Sequence, residues 1–267
     1  MLIPTLCASA KHLENIPKGL PINFYIGNGT LEFDIEETLN NLKKVEKYNK
    51  AINMVHLLIP EYPADYYRMN KPYFDFIRSL GAVGITLHYM IPHNHLEENI
   101  LFSEIVRIHN ELPDTTLYIE NTHSDIYGLF NMVRTLNDID IKTYMLIDTC
   151  HLEMDSTGWT GIPEQDIDLS KFFRTYKKYI GAVHISASQK EDGFSHNKHG
   201  KPIRSNKDYD FYSYICWALV HTNFDHDVIV IPEIIENTYD ETCTRENGLK
   251  AHNILKDIIN QMNEVLR

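Results

Sequence analysis

The stretch Tyr144-Met-Leu-Ile-Asp148-Thr-Cys-His151 decides the reading of this chain: an apolar run stops abruptly at a carboxylate, and an imidazole follows three residues later. Such an ending places Asp148 at the last position of a buried strand and His151 just beyond it in the following loop, both pointing into one cleft. The same grammar recurs on either side. Asn53-Met-Val-His56, Gly84-Ile-Thr-Leu-His88, Thr116-Leu-Tyr-Ile-Glu120, Ala182-Val-His184 and Val228-Ile-Val-Ile-Pro-Glu233 are all apolar runs that end in a histidine or a carboxylate. With Asp148 and His151 this makes seven groups suited to metal binding or proton transfer. A single such residue at a strand end is more often a hydrogen-bonded structural group. Structural residues would also fall at strand starts and middles, however, and none of the seven does.

Working outward, the chain alternates regularly. Strands are expected at 2–6, 22–26, 52–57, 83–88, 115–120, 144–148, 182–185 and 228–233. Helices are expected at 34–48, 63–80, 95–112, 125–136, 169–179, 209–221 and 244–265, with a brief segment at 10–15 after the first strand and a Gly27-Asn-Gly29 turn after the second. The helical stretches place apolar residues on one face, as Ile35, Leu39, Leu42 and Val45 do. Strands each followed by an amphipathic helix imply a parallel sheet covered by helices. Eight such units without a linker predict a single-domain (β/α)8 TIM barrel over residues 1–267 rather than an open doubly wound sheet, and no Gly-rich phosphate loop follows the first strand. In such a barrel the C-terminal strand ends converge on one face, and that face carries the active site.

Bulk properties agree with one large core: 267 residues, 43% of them hydrophobic and 23% charged. A formal charge of -12 gives a whole-molecule field that repels nucleic acid and anionic membrane, so any polyanion must be held by a local site. The four cysteines, Cys7, Cys150, Cys216 and Cys243, are widely separated and read as reduced, buried thiols rather than a disulfide framework. The N-terminal residues lack a basic segment followed by a long apolar one, and no stretch approaches the length of a membrane span. The expectation is a soluble, cytoplasmic protein with no membrane partner.

Neutral imidazoles and carboxylates without thiolates suit Zn2+, Mn2+ or Fe2+. Seven groups are too many for one ion, since a catalytic zinc takes about three ligands from the protein. Two ions about 3.5–4 Å apart can share a carboxylate and clamp the attacking and leaving oxygens of a displacement at phosphorus. The residues therefore predict a multinuclear site. Asn121 and Thr122 are expected to brace the ligands, and Trp159, in the long loop after His151, is a candidate stacking platform for a base or sugar.

The chain resembles the endonuclease IV family of apurinic/apyrimidinic endonucleases, within the xylose-isomerase-like barrels, along nearly its whole length. The likeness is most specific in Ile119-Glu120-Asn121-Thr122, Leu146-Ile147-Asp148-Thr149-Cys150-His151 and Val183-His184-Ile185; Asn23-Phe-Tyr-Ile-Gly-Asn28 is similar to the family's second strand. The resemblance implies hydrolysis of DNA at abasic sites by a cluster of two or three zinc ions. It implies that Glu120 bridges two metals and acts as the catalytic base. His56 and His88 complete the first metal, Asp148, His184 and Glu233 the second, and His151 and His199 hold the third. The chain departs from the family at Asn197-Lys198-His199, where Asp-x-His is the pattern. An amide offers only a neutral carbonyl oxygen, so the third ion is expected to be the weakest held. The same loop carries Lys190, Lys198, Lys201, Arg204 and Lys207 against Glu191 and Asp192. Lys198, Lys201 and Arg204 are the expected contacts to substrate phosphate. The competing expectation is a sugar isomerase or epimerase holding a single metal with Glu120, Asp148, His184 and Glu233. Such an enzyme has no need of histidines at both 56 and 88.

Overall fold

A computed structural model of the chain describes residues 1–9, 19–26, 40, 52–90, 92–121, 126–154, 169–185, 206–233 and 241–265. The turn at 27–29 and all of the helix expected at 34–48 except residue 40 lie outside these, as do Thr122, Trp159, Asn197, Lys198, His199, Lys201 and Arg204.

Nine strands form one sheet: β1 (Leu2–Pro4), β2 (Leu6–Ser9), β3 (Ile22–Tyr25), β4 (Ile52–His56), β5 (Gly84–Tyr89), β6 (Thr116–Asn121), β7 (Thr143–Asp148), β8 (Ile180–Ile185) and β9 (Val228–Pro232). Their order is β1-β9-β8-β7-β6-β5-β4-β3-β2. The expected seven later strands are all present. The single strand expected at 2–6 is instead two short ones divided at Thr5, of which β1 pairs in parallel with β9. The ladder to β9 runs past Pro4 to Thr5, whose N–H donates to Val230 O at 2.9 Å, before the chain passes into β2. The two ends of the sheet order are thus consecutive pieces of one N-terminal segment.

The described helices that bear on the argument are α1 (Tyr66–Asn70), α2 (Phe74–Leu80), α3 (His95–Glu111), α4 (Ile126–Asp138), α5 (Thr149–Met154), α6 (Leu169–Tyr176), α7 (Asn206–Val220) and α8 (Glu241–Val265). Two differences from expectation bear on the site. Residues 63–80 are not one helix but α1 and α2, each preceded by a 3-10 turn, at Pro63–Asp65 and Lys71–Tyr73. Pro72 lies in the second turn, and a proline there both lacks a donor and crowds the carbonyl four residues back, which interrupts the helix. His151, expected in a loop, sits in α5. Asp148 starts that helix by accepting the backbone N–H of His151 at 3.4 Å, the bond an N-cap carboxylate makes to the third helical residue.

By packing, the chain divides into two compact units, residues 8–145 and residues 1–7 with 146–267. In the first, β3, β4, β5 and β6 pair in parallel. Strand residues such as Phe24, Val55, Ile85, Leu117 and Ile119 are buried, as are Leu101, Ile105 and Ile108 of α3 and Leu129, Val133 and Leu136 of α4. Asn94 caps α3 by accepting from the N–H groups of Leu96 and Glu97, and Gly81 closes α2 at φ +63°, a left-handed conformation that glycine adopts without strain. In the second unit, β8 and β9 pair in parallel, α8 packs on β1, β9 and α7, and Val183, Val230, Phe173, Tyr212, Ile215, Leu255 and Ile258 are buried. No described helix is long and apolar enough to cross a membrane.

Candidate metal centre

Strand register brings the first group together. β4 and β5 are adjacent, β5 and β6 are adjacent, and His88 lies directly opposite Glu120. His56 lies opposite Thr86, two residues before His88, so period-two alternation sends His56, His88 and Glu120 to one face. His56 Nε2 lies 3.0 Å from His88 Nε2 and 3.2 Å from Glu120 Oε2, and His88 Nε2 lies 3.3 Å from the same oxygen. His56 and Glu120 are buried.

The tautomer of His56 follows from its other nitrogen. Nδ1 is 3.0 Å from the carbonyl oxygen of Leu57, which can only accept, so Nδ1 carries the proton and donates. In a neutral ring Nε2 is then a bare lone pair, and it faces a carboxylate oxygen and a second imidazole nitrogen. Polar atoms of three side chains thus converge at these distances. A proton can bridge one pair, whereas a divalent ion satisfies all three donors at once. The spacing fits as well: zinc bonds of about 2.0–2.1 Å in tetrahedral geometry give ligand-to-ligand edges of about 3.3–3.4 Å. The residues present therefore fit a divalent ion.

A second group occupies the other unit. Asp148 at the end of β7, His184 near the end of β8 and Glu233 just after β9 are buried, with ligand atoms within 4.8 Å of one another. His184 Nδ1 lies 3.3 Å from Glu233 Oε2. Backbone and hydroxyl bonds hold these strand ends: Glu233 N–H donates to Ile185 O at 2.9 Å, Thr149 Oγ1 to His184 O at 3.0 Å and the Tyr212 hydroxyl to Ile185 O at 3.1 Å. His151 is buried beside Asp148, its Nε2 3.5 Å from Oδ2. The third-metal partner expected for it, His199, and the expected phosphate contacts Lys198, Lys201 and Arg204 lie outside the described residues.

The structure adds residues that the sequence did not single out. Tyr25, at the end of β3, stacks on the His56 ring with centroids 4.3 Å apart and planes 17° from parallel. The fully buried Tyr66 hydroxyl donates to His88 O at 2.9 Å and accepts from His88 N–H at 2.7 Å. Burial pushes this phenol up from its ordinary value, and the Glu120 carboxylate adds to the shift against the bond to the His88 backbone, so Tyr66 stays protonated. Asn121 is buried at the end of β6, where it was expected to brace Glu120. His93 and His95 are exposed.

No family model matches the chain, and no curated protein matches it significantly. Solved structures do. A xylose isomerase domain containing protein from Salmonella typhimurium superposes with a TM-score of 0.59 at 12% identity, covering 95% of this chain and 97% of that one. The TTHB071 protein from Thermus thermophilus, solved after soaking with ZnCl2, gives a TM-score of 0.59 at 13% identity over 97% and 98% of the two chains. Endonuclease IV from the same organism gives 0.52 at 12% identity over 96% and 98%. Identities this low speak to architecture alone, and the architecture they share with this chain is the TIM barrel.

Proposed function

We propose that the chain is a metal-dependent phosphodiester hydrolase of the endonuclease IV type, which incises DNA at abasic sites with two or three zinc ions. The observation that carries this reading is His56: its Nδ1 is committed to Leu57 O, and its Nε2 is aimed at both His88 Nε2 and Glu120 Oε2. A single-metal isomerase using Glu120, Asp148, His184 and Glu233 leaves this imidazole pair without a task. The similarity to endonuclease IV supports the same reading at the level of fold.

When bound, paired divalent ions polarise the phosphoryl oxygens and stabilise the charge that develops on the attacking and leaving oxygens. In this reading His56, His88 and Glu120 would hold one ion and Asp148, His184 and Glu233 the other; Glu120 would be the carboxylate shared by both sets, as the resemblance implies, and the base for the proton of the attacking water. His151 and His199 hold a third ion. Lys198, Lys201 and Arg204 would contact substrate phosphate.

The test is a duplex carrying one abasic analogue, incubated with zinc-loaded protein. Incision 5′ to the lesion that is abolished by chelator is the expected result. No incision by fully loaded protein, together with turnover of a ketose, would move the assignment to a sugar isomerase.

A further inference from the structure

We propose that the short helix α1 is a positioning clamp for the two histidines, with Tyr66 and Asn70 fixing the backbone that aims His88 and His56. The proposal rests on the metal reading above and extends it to residues that touch no ligand atom.

Tyr66 uses one hydroxyl to satisfy both backbone groups of His88, accepting from its N–H at 2.7 Å and donating to its carbonyl at 2.9 Å. The main chain of His88 is thereby held at both polar atoms by one rigid aromatic side chain. Asn70 does the equivalent for His56 through the next residues. Its Oδ1 accepts from Leu58 N–H at 2.8 Å, and its Nδ2 donates to Leu58 O and to Tyr66 O, both at 3.0 Å. The Leu58 nitrogen belongs to the same peptide plane as the Leu57 carbonyl, the acceptor that sets the His56 tautomer at 3.0 Å. Asn70 therefore fixes the plane that decides which His56 nitrogen faces Glu120. Both side chains are fully buried, so no solvent exchanges with these bonds.

The clamp is itself anchored. Glu104 of α3 accepts from Tyr67 N–H at 2.9 Å, the Arg107 guanidinium sits 4.0 Å from the Tyr67 ring centroid, and the Tyr67 hydroxyl donates to Glu111 at 2.6 Å. One face of α1 is thus pinned to α3, and the other presents Tyr66 and Asn70 to the strand ends. Groups that orient a ligand from behind typically alter metal affinity by about 10–100-fold when removed.

The experiment is a cobalt(II) titration of the full chain, followed by its visible ligand-field absorption and by chelator competition. His88→Ala first identifies which binding step belongs to the histidine pair; if the parent protein shows no such step, the metal reading itself fails and the clamp with it. In Tyr66→Phe that step should weaken by about 10–100-fold and its ligand-field bands should shift, while the step assigned to Asp148, His184 and Glu233 keeps its affinity. Arg68→Ala, which loses only an exposed ion pair to Asp65 on the same helix, should leave both steps unchanged. Should Tyr66→Phe fail to fold, Asn70→Ser, which releases the Leu57–Leu58 peptide and leaves Tyr66 in place, is read by the same criteria. An unchanged histidine step, or equal weakening of both steps matched by Arg68→Ala, would reduce α1 to ordinary structural support and overturn the proposal.

Discussion

His56 commits one nitrogen to the protein and points the other at two electron-pair donors, an arrangement that makes sense around a cation. From the proposed bridging role of Glu120, Glu120→Ala should abolish both tight binding steps in a zinc titration by calorimetry, whereas His88→Ala should abolish one; loss of a single ion in Glu120→Ala would rule out the bridge. Asn197→Asp should add a negative charge to the shell proposed for the third ion and tighten that step alone. Three equally tight ions in the unaltered protein would show that another group, such as Asp192 or His196, replaces the missing carboxylate. The proposed ligands His56, His88, Glu120, Asp148, His184 and Glu233 were legible because each ends an apolar run. Tyr66 was not, since both of its partners are backbone atoms of a strand 22 residues away and nothing in the spacing of 16 tyrosines marks it out.

At the scale of elements, the strands from β3 onward follow the apolar runs closely, because burial on both faces leaves strands little freedom of composition. The helix read across 63–80 failed where Pro72 interrupts it, and that break lets α1 stand apart from α2 as a separate piece. Within the strands, Gly84 is required by packing: a Cβ there would lie 2.5 Å from Tyr118 Cε2 and 3.3 Å from Thr116 O. Tyr118 is itself stacked on Tyr144 at 6.0 Å, so it cannot move freely aside. Gly84→Ala should cost about 1–3 kcal/mol in urea denaturation, and the double variant with Tyr118→Leu should recover part of it. In α8, burial first and then Lys256 hold the His252 imidazole below its ordinary value. The unfolded chain therefore takes up more protons than the folded one as pH falls below about 6.5, and stability declines across that range. Metal-free His252→Leu should show a flatter acid limb than the parent; identical limbs would assign the pH dependence elsewhere.

For the whole molecule, a net charge of -12 opposes any long-range attraction to DNA. If substrate phosphate is met by Lys198, Lys201 and Arg204, neutralising all three should weaken binding to an abasic duplex and flatten the plot of log affinity against log salt by up to about 0.9 per lost phosphate contact. An unchanged slope would return that loop to ordinary surface. The claim on which the rest depends is that the strand-end histidines and carboxylates form a multinuclear centre, and the most direct measurement is the metal content of the intact protein after zinc loading and gel filtration. The expected result is two tightly held ions per chain and a third removed by mild chelation. One ion per chain, or none, would contradict it.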